Sequence, residues 1–263
     1  MGLFKKSKKK RDGGRILPSF VLLSEIALDL DLFARDFEED WGFALPMQNA
    51  QTDDELPMLV TEVNGINIAV SLMPSPVPNG EAVQNAQTNF RWPQAVEVTE
   101  SHQAHVLIIV MPLADKPLLE VATLHTMLCA TCLKQPAAIA INTAGTVFEP
   151  EFYIESARFS IENNSFPIMN HIFFGLYSND DGQTFSGYTY GLGGLGKQDI
   201  EIIDSAQSAD DVLGFMVDIS SYILESDAVL QHGETIGFTA EQKLPIVESP
   251  GIAIPEKTLK IGF

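Results

Sequence analysis

Several groups of residues in this chain have types and spacings that chemistry uses. Gly191-Leu192-Gly193-Gly194-Leu195-Gly196 matches G-x-G-x-x-G and is followed by Lys197. A dinucleotide site of that pattern needs a strand before it and a helix after it, with the helix N-terminus facing the pyrophosphate. The segment 197–204 (KQDIEIID) instead alternates polar and apolar residues, the period of a strand. The glycines therefore read as a tight turn between two strands. His125, Cys129 and Cys132 fall at i, i+4 and i+7 of a helical stretch, so they share one face and are soft metal ligands by type. Leu118, Val121 and Leu128 lie on that same face, and a thiol among them reads as a small core residue. Cys129-Ala-Thr-Cys132 lies near the end of the helix, where a thioredoxin-type motif would open one.

Glu100, His102 and His105 form a third group. In an extended chain His102 and His105 point to opposite faces, so they do not chelate one ion simply, and a structural or partner-facing role is expected. The run Asn179-Asp-Asp-Gly182 lacks the calcium-loop pattern, because Tyr177 holds the would-be first ligand position. His232-Gly-Glu-Thr-Ile-Gly237 is a polar turn entering a strand, and an acid–base pair there would need a second group such as Glu201 or Asp199. No nucleophile elbow, phosphate loop or H-E-x-x-H occurs.

The elements that must position these residues are legible from periodicity. Residues 16–24 read as a buried strand, and Asp29–Trp41 as a helix with Leu28, Leu32, Phe33 and Phe37 in phase. Met58–Val63 and Ile66–Met73 flank Asn64-Gly65, a strong hairpin signal. A short helix is predicted at Glu81–Asn89, a buried strand at His105–Met111, a helix at Pro117–Cys132 and a strand at Ala137–Asn142. The second half is richer in strands. Ile172–Tyr177 and Thr184–Tyr190 form a hairpin, and Asp199–Ile203 is a strand. Ser208–Leu224 is a helix whose Asp210 and Asp211 suit its N-terminal end, and three short strands close the chain. No linker or repeat divides it. The expectation is a 1–15 basic tail and one α+β domain over 16–263, with a mixed, largely antiparallel sheet and helices packed against it.

Charge narrows the function classes. The formal net charge is −19, yet residues 1–15 hold seven of the sixteen Lys and Arg and one acid, Asp12. The remainder carries nine bases against 34 acids, a net of −25. Such a body repels nucleic acid and attracts basic partners. The basic run reads as a solvated tail: Lys6 stands where a myristoylation pattern needs Ser or Thr, and Pro18-Ser19 interrupts any signal-like apolar run. No apolar run is long enough to span a bilayer. Two cysteines exclude a disulfide scaffold, so a cytoplasmic setting is expected.

The chain resembles the bacterial DUF4261 domain family, whose function is unknown. The residues that carry the resemblance are Pro76-Val-Pro78 with Glu81, Trp92-Pro93 with Ala95, and His102-Gln-Ala-His105. Thr189-Tyr-Gly-Leu-Gly-Gly-Leu-Gly-Lys197 leading into Asp199-Ile-Glu-Ile202, and Gly233-Glu-Thr-Ile-Gly237, complete the set. The resemblance implies an α+β domain and no established reaction. It also implies an acid before Gly233, where this chain has His232, which weighs against a metal site in that loop. An association with toxin loci, as immunity or accessory proteins, comes with it.

These readings together favour a non-catalytic acidic binding protein for a basic protein partner such as a bacterial toxin. Its expected binding residues are His102, His105, Gly191, Gly196, Lys197, Glu201, Glu234 and Thr235, with no cofactor, no metal and no catalytic set. The alternative is a metal-assisted hydrolase built from His102, Glu201 and Glu234.

Overall fold

The first expected strand forms, and it becomes the centre of a six-stranded sheet. In the computed structural model, which describes residues 17–51, 56–113, 116–179, 182–239 and 241–263, β1 spans Leu17–Leu23. The basic residues 1–15 lie outside that description, as do residues 180–181, where the hairpin turn is expected. β1 is flanked by β4 (Ala104–Pro112) and β5 (Ala138–Thr143), both antiparallel to it. The hairpin β2 (Met58–Val63) and β3 (Ile66–Met73) extends the β4 side. Its turn residues Asn64 and Gly65 both have positive φ, the geometry that Asn-Gly supplies. The short strand β6 (Thr146–Phe148) closes the other edge, giving the order β2-β3-β4-β1-β5-β6.

A second six-stranded sheet is built from the C-terminal half. It comprises β7 (Phe173–Asn179), β8 (Thr184–Tyr190), β9 (Ile200–Ser205), β10 (Thr235–Ile236), β11 (Leu244–Pro250) and β12 (Lys257–Ile261). Its order is β10-β11-β12-β9-β8-β7, antiparallel except for the parallel pair β12–β9. The largely antiparallel α+β class is therefore as expected. The division of the strands into two sheets is not visible in periodicity, because a half-buried strand reads the same in either.

Helices cover the sheets. α1 (Leu30–Trp41) starts at Asp29, whose side chain accepts from Leu32 N–H at 2.8 Å, and ends at Gly42 in the left-handed conformation. With α4 (Leu118–Cys132) and α5 (Pro150–Glu162) it buries the Val21, Leu23, Ile68, Val106, Ile108 and Ile141 face of the first sheet. The short α2 (Glu81–Ala86) and α3 (Ala95–Glu100) cover Leu22, Ala140 and Val147 on the opposite face. α6 (Ile168–His171) leads into β7. α7 (Ala209–Glu225) is capped by Ser208 and lays Val212, Phe215, Met216 and Ile219 on Ile200, Ile202 and Leu259 of the second sheet. α4 joins the two cores: Val121, Leu124 and Leu128 belong to the first and Ala122 to the second. Among the described residues no helix is long and apolar enough to cross a membrane.

One local expectation changes. Glu100 is not extended. It ends α3, and His102 follows that helix before β4 begins. Ala95, Val96 and Val98 pack toward the core cluster around Leu22, and that burial favours the helical period over an alternating one.

Candidate functional site

β9 organises the candidate site, because it places two carboxylates to hold two separate loops. Asp199 immediately precedes the strand and Glu201 lies within it. Side chains two apart on an extended chain share a face. Asp199 Oδ1 accepts from the Thr189 hydroxyl at 2.9 Å and from Leu192 N–H at 3.1 Å. The amides of Gly193 and Gly191 also bond to this carboxylate. The glycine loop 191–196 thus turns its N–H groups inward, as an anion-binding nest does, and the anion is the chain's own. Burial pushes the Asp199 carboxyl above its ordinary value, against the opposing pull of those donors. After the loop a strand follows, as the alternation of 197–204 requires. The amides a phosphate would need are engaged by Asp199.

Glu201 does the equivalent for the segment 251–256. Its side chain is fully buried, and Oε1 accepts from Ile252 N–H at 2.9 Å and Ala253 N–H at 2.8 Å. Oε2 accepts from the Thr258 hydroxyl at 2.8 Å and lies 2.8 Å from Lys260 Nζ. Burial pushes its pKa up, but these four partners outweigh that, and the net shift is downward. Gly251 N–H donates to Glu256 O at 2.8 Å, which closes the loop and sets Glu256 at its end.

Between these loops and the first sheet lies a cleft of about 380 Å³. Gly191, Gly193, Gly194, Asp199 and Glu256 line it from the second sheet; Leu17, Pro18, Thr143 and Ala144 line it from the first. His125 and His171 form its floor, and Tyr190 a wall. The Tyr190 ring edge covers Gly145, which has φ 69°, so a side chain there would meet the ring. Gly191 has φ 121°, and a Cβ on it would lie 2.5 Å from His171 O. Gly191→Ala is expected to cost about 1–3 kcal/mol of stability through that strain, measurable by urea denaturation.

The floor is a pair of imidazoles whose ring centroids are 5.7 Å apart. His171 Nε2 lies 2.7 Å from the Thr126 hydroxyl and 2.9 Å from Ala122 O, and its ring stacks on Phe166. His125 Nε2 lies 3.6 Å from Cys129 Sγ, and its Nδ1 has no hydrogen-bond partner. Burial holds both histidines in the uncharged form. His125 is lowered to about 3, helped by the neighbouring His171, and His171 to about 4. Burial also pushes the Cys129 thiol up to about 12 and raises the Cys132 thiol well above its ordinary value. Neither thiol is therefore a nucleophile near neutrality. The core reading of the His125–Cys129–Cys132 face is correct for the thiols, while His125 also reaches the cleft.

The expected binding residues scatter. Gly191 lines the cleft, and Gly196 ends the loop with φ 81°. Lys197 turns away: its side chain, 9% exposed, reaches Asp227 Oδ1 at 2.6 Å and Ala228 O at 3.0 Å. Glu201 is committed to four internal partners and holds the 251–256 loop in place. His102 is buried under the first sheet, its Nε2 accepting from Val77 N–H at 2.9 Å and its Nδ1 against Thr99 O. His105 faces Ser75 O at 2.8 Å through Nδ1 and packs edge-on to Phe20; burial lowers its pKa. Glu234 and Thr235 lie exposed at the β10 edge, where Glu234 Oε2 accepts from Gln231 N–H at 3.0 Å. His102, Glu201 and Glu234 thus stand on three separate parts of the molecule: the buried turn after α3, the β9 interior and the opposite edge of the second sheet. Among the described residues no group of three or more His, Cys, Asp or Glu is gathered for a metal ion. Sequence reasoning did not find His171, Tyr190 or Glu256. The Asp199-Ile-Glu201 alternation was the available sign of two carboxylates on one face.

The segment that carries both loops also has a recognisable pattern. Residues 188–262 match DUF4261, a domain of unknown function. No curated protein and no solved structure matches the chain. The DUF4261 match covers less than a third of the chain, yet it contains Thr189, the glycine loop, Asp199, Glu201, the 251–256 loop and Thr258. The segments around Pro76, Trp92 and His102 that also suggested DUF4261 lie outside it. The cleft is therefore made by the DUF4261 segment on one side and by β1, α4, α6 and the β5–β6 turn on the other.

Proposed function

We propose that this chain is a non-catalytic binding protein that engages a basic protein partner through the cleft between its two sheets. The observation that supports this reading best is the charge of the lining. Among the described residues, the formally charged side chains there, Asp199 and Glu256, are both carboxylates, and no Lys or Arg lines the cleft. Beyond residue 15 the chain itself carries a net −25, which steers a basic partner toward it. The groups that could have done chemistry are quenched by burial: two uncharged imidazoles and a protonated thiol. A basic bacterial toxin, with this chain as its immunity or accessory protein, is a partner of the right chemistry.

The test is retention of host proteins on the immobilised chain at low and high salt. A basic protein should bind at low salt and be released at high salt, because exposed charge pairs are screened. Glu256→Lys should weaken that retention by about tenfold, equivalent to about 1.4 kcal/mol. No enrichment at either salt would remove the reading.

A further inference from the structure

Resting on that reading, we infer that the cleft receives one arginine side chain of the partner, its guanidinium lying between Glu256 and the Tyr190 ring with its tip toward His125. Three features of the cleft point to a planar cation with several donors. Glu256 lines the cleft and is exposed, and its carboxylate makes no hydrogen bond or ion pair to the described residues. His125 is only 1% exposed, yet its Nδ1 has no partner. In the tautomer that carries its proton on Nε2, toward Cys129 Sγ 3.6 Å away, Nδ1 is an acceptor. Tyr190 is 40% exposed, with its ring edge over Gly145 and the remainder open to the cleft.

Buried polar atoms are normally satisfied, so an unpartnered imidazole nitrogen in a cleft floor marks a place where a ligand donor belongs. A guanidinium supplies five donors in one plane and stacks on aromatic rings. An ammonium is a point donor with no planar face to stack on the Tyr190 ring. The other ligand classes fit less well. An anion would meet two carboxylates, and the amides that could bind it are taken by Asp199. An apolar group would leave Glu256 and His125 Nδ1 desolvated without partners. The cleft volume of about 380 Å³ lies at the small end of the range of about 300–1,000 Å³ for ligand sites, suited to a single side chain.

The experiment compares oligoarginine, oligolysine and oligocitrulline peptides of equal length, titrated into the full chain and followed by amide NMR. Oligoarginine should bind about tenfold more tightly than oligolysine, and oligocitrulline should not bind. The amides of Gly191, Gly193 and Gly194 should shift on arginine binding. Glu256→Gln and Tyr190→Leu, both at partly or fully exposed positions, should each erase the preference for arginine while the circular dichroism spectrum stays unchanged. Equal affinity for the two cationic peptides overturns the arginine assignment but leaves the basic-partner reading standing. Arginine-selective shifts that map elsewhere overturn the location. Failure of both cationic peptides to bind overturns the inference and the reading together.

Discussion

Acidifying this protein from pH 6.5 toward pH 4 should destabilise it by several kcal/mol, because the two histidines beneath the cleft must bind protons to match the unfolded chain and the folded state refuses them. His125 falls from 6.5 to about 3 and His171 from 6.5 to about 4, both through burial. In the unfolded chain each titrates near 6.5. Below that pH the unfolded state binds protons and the folded state does not, so stability drops until the folded values are reached. The slope is about 1.4 kcal/mol per pH unit for each histidine. Two units of acidification thus remove roughly 5 kcal/mol, against a total stability of about 5–15 kcal/mol for typical domains. Asp199 opposes this, since a carboxyl with a raised pKa gains stability as pH falls. Glu201, with a lowered pKa, adds a further loss at still lower pH. Urea denaturation at a series of pH values gives the slope directly, and His171→Gln should roughly halve it. A flat profile between pH 6.5 and 4.5 would show that the pair is not buried uncharged.

Glu201→Ala should be the most damaging single substitution at the site. It leaves the Ile252 and Ala253 amides and the Thr258 hydroxyl without their acceptor, and leaves Lys260, at 17% exposure, with neutral oxygens of Ser249, Pro250 and Thr258 but no counter-charge. Removing one partner of a buried ion pair costs about 3–5 kcal/mol, because the remaining charge stays desolvated. Glu201→Gln keeps an oxygen for the two amides but puts an NH2 donor where Oε2 accepts from the Thr258 hydroxyl and meets Lys260, so about 1–3 kcal/mol is expected. Both are measured by chemical denaturation. Amide hydrogen exchange at Ile252 and Ala253 should quicken in the alanine variant, where those N–H groups lose their acceptor, and much less in Glu201→Gln, which keeps it. Since the 251–256 loop carries Glu256, the alanine variant should also lose affinity for a cationic ligand. A change within about 0.5 kcal/mol would mean that the loop is held by other contacts.

Local signals were read well where the stabilising partners are close in sequence. Asn64-Gly65 has both positive φ angles of the hairpin turn, and Asp29 and Ser208 cap the helices they precede. The alternation of 197–204 predicted β9 and excluded a dinucleotide loop. Elsewhere the chain gave weaker signs. The β5–β6 turn uses Ala144 at φ 50°, a conformation alanine rarely announces, and α5 starts at Pro150 without a side-chain cap. His102 and Lys197 looked available because polar side chains give no sign of being satisfied by backbone atoms 25 or 31 residues away.

By itself, then, the sequence determined the acidic body, the helices and hairpins, the strand after the glycine loop, and the side-by-side placement of Asp199 and Glu201. Only the tertiary structure decided that these carboxylates serve two loops, and that His125 and His171, 46 residues apart, share one cleft floor. The reason is physical. Periodicity and caps depend on bonds spanning a few residues, whereas burial, a carboxylate's choice of donors and the pairing of two imidazoles depend on which distant surfaces close over them.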